Sequence, residues 1–266
     1  MPKLTEHPSS SLIKMLLIGD SGAGKTGCLA SLAKAGYNLY IIDMDNGLDI
    51  LYHLLKDDKE ALGRIDYATF RDPMKAGPAG PIRVAANAYS KALKYMTDWP
   101  EKGPLEKWTD KDILVVDSLS FLCDAAMAQA KMADGKLHSK TEIQHWGWAM
   151  ENIKMFLSLV TSDAVMCNVI ITAHVTHIES QHGGIIKAFP KALGQKLPPE
   201  VATYFNTAVQ VRARGSGNNL RREILTRSEG LLDLKTPIFD KVPSVMPAET
   251  GLADFFETYR KGNSNA

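Results

Sequence analysis

Residues 12–26, LIKMLLIGDSGAGKT, are an apolar run that empties into a loop of the form GxxxxGKT. Leu12, Ile13, Met15, Leu16, Leu17 and Ile18 predict a buried strand, and residues 26–35 predict a helix closed by Gly36. Strand, glycine loop and helix in that order form a phosphate cradle. The glycines let successive backbone N–H groups turn inward, Lys25 brings positive charge to the outer phosphates, and the Thr26 hydroxyl is a ligand for Mg²⁺. Gly19, Asp20, Ser21, Gly22, Ala23, Gly24, Lys25, Thr26 and Gly27 are therefore the candidate nucleotide-binding residues, and a nucleoside triphosphate with Mg²⁺ is the expected ligand.

Outward from this loop, the apolar runs 38–43, 113–117 and 168–173 predict further buried strands. Helical patterns at 48–62, 84–99, 119–134 and 143–161 separate them. That alternation predicts an α/β fold with a mostly parallel central sheet flanked by helices. After Pro199 the texture changes. Shorter strands at 207–214, 221–227 and 231–234, with a turn at 215–219, predict antiparallel strands extending the sheet. Residues 11–260 read as a single domain, between a flexible segment 1–10 and a frayed tail 261–266.

The strand 113–117 ends in Asp117, the acid that organises the metal opposite a phosphate loop. Ser118, not glutamate, follows it, so a catalytic base must come from elsewhere. No DxxG or NKxD motif accompanies the loop, which excludes the small GTPases.

With 45% hydrophobic residues and 266 in all, the chain can bury one substantial core. There is no apolar run of the roughly 18 residues a membrane span needs, and the expected setting is soluble and cytoplasmic. Cys28, Cys123 and Cys167 lack metal-site spacing and read as buried free thiols. The net charge of +1 leaves any nucleic-acid contact to local charge.

The glycine loop, the Asp117 strand followed by serine, the acid after strand 38–43 and the strand ending at His174 together resemble the RecA fold. Within it, the chain is similar to the minimal phage-encoded RecA-like ATPases that include single-strand annealing proteins. The resemblance covers about residues 11–242. It implies that Asp45, in IDMDNGLD, activates the hydrolytic water, where relatives usually carry glutamate; a turn aspartate after a strand would read the same. It places Asp49 and Tyr52 against the adenine, His174 as the sensor of the terminal phosphate, and Lys235 in the ATP site of a neighbouring subunit in a ring or filament. Relatives often continue that last motif as Lys-x-Arg, whereas Pro237 stands here. The candidate catalytic residues are thus Lys25, Asp45, His174 and Lys235, with Thr26 and Asp117 for the metal.

From Lys187 to Arg222 seven basic residues face one acid, Glu200, a local charge of 7 − 1 = +6. The glycine-containing loop 177–199 is expected to be mobile and to carry Lys187, Lys191 and Lys196 to phosphates, with Phe189 offered for base stacking. Arg212 and Arg214 join them as candidate contacts to single-stranded DNA. The resulting expectation is an ATPase acting on single-stranded DNA in annealing or recombination, with a single-strand-binding protein as a further partner. The alternatives are a phage accessory or assembly ATPase that does not touch DNA, and a nucleotide-gated structural oligomer with negligible hydrolysis.

Overall fold

A computed structural model describes residues 12–78, 80–179, 184 and 186–263. The segment 1–10, the tail 264–266 and the loop residues His182 and Gly183 lie outside them. Strand β1 (Lys14–Ile18) enters the glycine loop, and α1 (Lys25–Cys28) and α2 (Ala30–Lys34) leave it. β2 (Asn38–Asp43), α3 (Asp49–Leu55), α4 (Lys59–Leu62) and β3 (Ile65–Thr69) follow. Two small hairpins, β4 (Met74–Gly77) with β5 (Gly80–Arg83) and β6 (Asp98–Trp99) with β7 (Gly103–Pro104), bracket α5 (Ala88–Thr97). Next come β8 (Asp112–Asp117), α6 (Leu119–Ala133), α7 (Ile143–Thr161) and β9 (Asn168–Ala173). The last third holds β10 (Val175–Glu179), β11 (Ile186–Pro190), α8 (Pro198–Val201), β12 (Thr207–Arg214), β13 (Arg221–Leu225), β14 (Val245–Pro247) and α9 (Gly251–Asn263).

Eight strands form one sheet in the order β14-β13-β12-β1-β9-β8-β2-β3. From β12 to β3 every pairing is parallel, and β13 and β14 add antiparallel strands at one edge. This is the expected architecture, and its cause is legible in the strands. Successive residues of β1 point to opposite faces: Leu16 and Ile18 join a core covered by α5, α6 and α7, while Met15 and Leu17 join one covered by α1 to α4 and α9. A sheet buried on both faces needs apolar residues at nearly every position.

The expected boundaries need several corrections. The helix 26–35 breaks at Leu29, and 48–62 is two helices, the second capped by the Asp58 side chain on the Ala61 N–H. The helix expected at 84–99 begins only at Ala88, because Asp72 Oδ1 accepts the N–H groups of Asn87 and Ala88 there. Residues 231–234 form no strand; isolated bridges tie Leu232 to Ala188 and Lys235 to Ala208. The loop 177–199, expected to be mobile, instead contains most of the antiparallel pair β10–β11, whose Ala188 is buried in the core. The sequence reading missed β3, β14 and α9. Leu252, Phe255, Phe256 and Tyr259 bury one stripe of α9 at the i, i+3, i+4, i+7 spacing of an amphipathic helix, so residues 261–263 are helical rather than frayed. All three cysteines are free and buried. Among the described residues, no helix is long and apolar enough to cross a membrane.

Candidate nucleotide site

Parallel pairing aligns the carboxyl ends of the strands that carry the motifs. Ile18 lies beside Ala173, and Asp43 beside Asp117, so the glycine loop, the acids after β2 and β8 and the end of β9 meet at one edge of the sheet. Thr26 Oγ1 donates to Asp117 Oδ2 at 2.6 Å, and Thr172 Oγ1 donates to Asp117 Oδ1. A buried carboxylate is thereby held between the loop hydroxyl and the neighbouring strand. The Asp117–Ser118 peptide is cis. Lys25 is buried, with Nζ 2.9 Å from the Gly19 carbonyl and 3.0 Å from that of Asp20. Burial pulls its pKa below the ordinary amine value, against the opposing fields of Asp117, Asp45 and Asp20.

Asp45 sits just past β2. Desolvation, reinforced by Asp117 and Asp43, lifts its carboxyl to about 6, and its buried Oδ1 has no hydrogen-bond partner among the described residues. A carboxylate so placed is an acceptor in need of a donor, which suits a water molecule. His174 follows β9. Burial and then the charges of Lys25 and Lys191 lower its pKa, which keeps the imidazole neutral at neutral pH. The His174 backbone N–H donates to Ser120 Oγ at 3.2 Å, its carbonyl accepts the Lys191 N–H at 2.7 Å, and Ser120 Oγ donates to the Lys191 carbonyl at 3.1 Å. The residue after β9 is thus strapped directly to the segment that follows β11.

A cavity of about 400 Å³ joins these groups. Ser21, Gly22, Gly24, Lys25, Thr26 and Gly27 line it together with Asp45, Asp117 and His174. Gly19, Asp20 and Ala23, also expected as ligands, do not. Gly19 and Asp20 hold Lys25 through their carbonyls, and Ala23 is packed in the core. Gly24 is required by its left-handed φ of 106°, and a Cβ there would sit 2.5 Å from Arg222 Cδ, so any side chain would also have to displace that arginine.

The expected adenine contacts are corrected. Asp49 and Tyr52 line a separate depression with Asp43, Leu62 and Tyr67, because the helical turn of α3 points Ile50 and Leu54 into the main cavity instead. Ala248 and Glu249, from the turn before α9, line the same cavity. Sequence reasoning missed these four, Thr172 and Arg222. The i, i+4 spacing of Ile50 and Leu54 was the available signal for two of them.

Lys235 is outside this cavity, on a different depression with Thr226, Arg227 and Phe239, and its backbone is fixed to Ala208 by hydrogen bonds of 2.8 and 3.0 Å. The basic stretch is partly neutralised by acids just beyond it. Lys187 pairs with Asp233, and Arg212 pairs with Glu223 at 3.1 Å and Glu229 at 2.8 Å. Arg212, expected as a DNA contact, is an ion-paired residue of β12. Lys191, Lys196 and Arg214 are exposed, and Arg214 lies across from Arg221 in the β12–β13 hairpin. Phe189 is half-buried in β11. Among the described residues, no cluster of His, Cys, Asp and Glu could hold a metal by itself.

The chain is similar in structure to a KaiC-like protein from the archaeon Pyrococcus horikoshii OT3, at 14% identity and a TM-score of 0.40, over 82% of this chain and 79% of that one. It is similar also to the flagellar accessory protein FlaH from Methanocaldococcus jannaschii, at 12% identity and a TM-score of 0.43, over 90% of this chain and 87% of that one. No curated protein matches it. The family described as AAA domain (AAA_24) matches residues 11–236. A glycine loop, its partner acid and a mostly parallel sheet are RecA-like P-loop features, and the chain belongs to this AAA domain family.

Proposed function

We propose that the chain is a Mg²⁺-dependent ATPase whose nucleotide state is relayed to single-stranded DNA. The observation that carries the ATPase reading is the coupling of Thr26, Asp117 and Thr172 beside Lys25 at the wall of one cavity. Thr26 Oγ1 and the Asp117 carboxylate are the groups that would hold Mg²⁺, which supplies charge neutralisation at the phosphates. Loop N–H groups and Lys25 bind the phosphate chain. Asp45 orients a water and accepts its proton, and Ile50, Leu54 and Ala248 form the apolar walls for a base. Lys235, remote from its own cavity, serves the site of a neighbouring subunit in a homo-oligomer.

The DNA half of the proposal rests on the strap from His174 through Ser120 to Lys191, which brings a lysine-bearing segment into contact with the sensor position. The pairing of Lys187 and Arg212 with acids favours a second reading, an accessory ATPase that does not bind DNA. Fluorescent ATP titration with phosphate release, and single-strand binding with and without ATP at two salt concentrations, separate them. Lys25→Ala should abolish nucleotide binding in a folded protein; wild-type binding in that variant would sink the ATPase reading. If the wild type turns over ATP but ignores single strands at low salt, the accessory reading replaces the first.

A further inference from the structure

Arg222 comes to the nucleotide site from β13, two strands from β1 in the sheet and more than 190 residues after the loop it touches. Alternation along β13 puts Arg222 on the same face as Ile224, a core residue that shares its cluster with Ala23 of the glycine loop. Arg221 and Glu223 point the other way, where Glu223 pairs with Arg212. The side chain of Arg222 lies on Gly24 so closely that a Cβ there would meet Cδ at 2.5 Å and Nε at 3.2 Å. Its carbonyl accepts the Ala248 N–H at 3.0 Å, which anchors its backbone to the turn before α9.

The charge pattern makes this position informative. Lys25 is the other cation lining the cavity, against three acids, Asp45, Asp117 and Glu249. Beyond the charge that Mg²⁺ would bring, a polyanion entering this acid-lined cavity is favoured by a second fixed cation beside Lys25. Among the described residues, no carboxylate forms an ion pair with Arg222, whereas Arg212 on the adjacent strand is paired twice. A guanidinium is also the side chain best shaped to fork onto two phosphate oxygens.

We propose that Arg222 is a phosphate ligand supplied in cis, its guanidinium held against Gly24 and directed at the phosphate chain of a nucleoside di- or triphosphate in the same subunit's glycine loop. This rests on the nucleotide reading above. It differs in kind from Lys235, which would act across a subunit interface.

The test is a titration of the full chain with mant-ADP, with tripolyphosphate as competitor, in wild type, Arg222→Gln, Arg222→Lys and Lys25→Ala. Arg222→Gln removes the charge while keeping Cβ and Cγ beside Gly24, and unchanged circular dichroism verifies its fold. It should weaken mant-ADP about 10- to 100-fold, the range for losing a charge-assisted hydrogen bond, and weaken tripolyphosphate competition by a similar factor. Arg222→Lys should recover part of the loss, since it restores charge but not the fork. Wild-type affinity in Arg222→Gln, beside lost affinity in Lys25→Ala, would overturn the Arg222 assignment while leaving the nucleotide reading intact. Failure of the wild type to bind mant-ADP would overturn both. Mixing Arg222→Gln with Lys25→Ala subunits is the control for cis action: recovered binding in the mixture would assign Arg222 to a neighbour's site and overturn the proposal.

Discussion

Asp45 holds its proton to about pH 6 because it is desolvated and faces Asp117 and Asp43, and both consequences are measurable. A general base works only when ionised, so kcat/KM for ATP should rise from pH 5 to 7 with an apparent pKa near 6 and level off above it. Asp45→Asn should leave nucleotide affinity unchanged and lower turnover by about 10² to 10⁴. The stability effect has the opposite sign. The folded carboxyl binds its proton more tightly than the unfolded one, so this residue costs stability as pH rises from about 4 to 6, and the cost persists above that. Asp45→Asn should therefore raise the thermal midpoint at pH 7 while slowing hydrolysis. An unchanged turnover in a stabilised variant would move the base to another residue. The motif reading named Lys25, Thr26, Asp117, Asp45 and His174, which the structure gathers around one cavity, because each stands at a short local spacing after a strand. It misplaced Asp49 and Tyr52, because which side of α3 faces the loop depends on how that helix sits on the sheet.

At the scale of elements, the segment after β9 is the part most altered by folding. Glycines and lysines predicted an open loop, yet Ala188 is buried and β10 and β11 pair over five registers. The hairpin leaves Lys191 and Lys196 exposed beyond β11, with Lys191 strapped to His174, while Lys187 is engaged with Asp233. Each phosphate contact on a single strand contributes about 0.7 to the slope of log affinity against log salt. Replacing Lys191 and Lys196 together by Ala should thus flatten that slope by about 1.4 units, and adding Lys187→Ala should change it little further. A full extra decrement from Lys187 would mean that its pair with Asp233 opens on DNA. ATP binding should survive all three replacements, since the glycine loop stands on another strand.

On the scale of the whole molecule, α9 closes the face of the sheet that also carries the glycine-loop helices. Phe255 and Phe256 are almost fully buried, and Phe256 stacks edge-on against Tyr37 at 5.3 Å, joining the end of the described chain to its first third. Phe256→Ala should destabilise the protein by about 3 to 5 kcal/mol, read as a lower urea midpoint with an unchanged slope. A much smaller loss would show that α9 is an appendage and not part of the core. By itself the sequence determined the glycine loop, its partner acid and the parallel α/β order, because each is written in contiguous residues whose spacing or burial period is local. Only the tertiary structure decided that Arg222 and Glu249 reach the site, that Ile50 and Leu54 face it in place of Tyr52, and that Arg212 and Lys187 are neutralised. Those contacts join residues far apart in the chain, and sheet order, register and helix rotation bring them together.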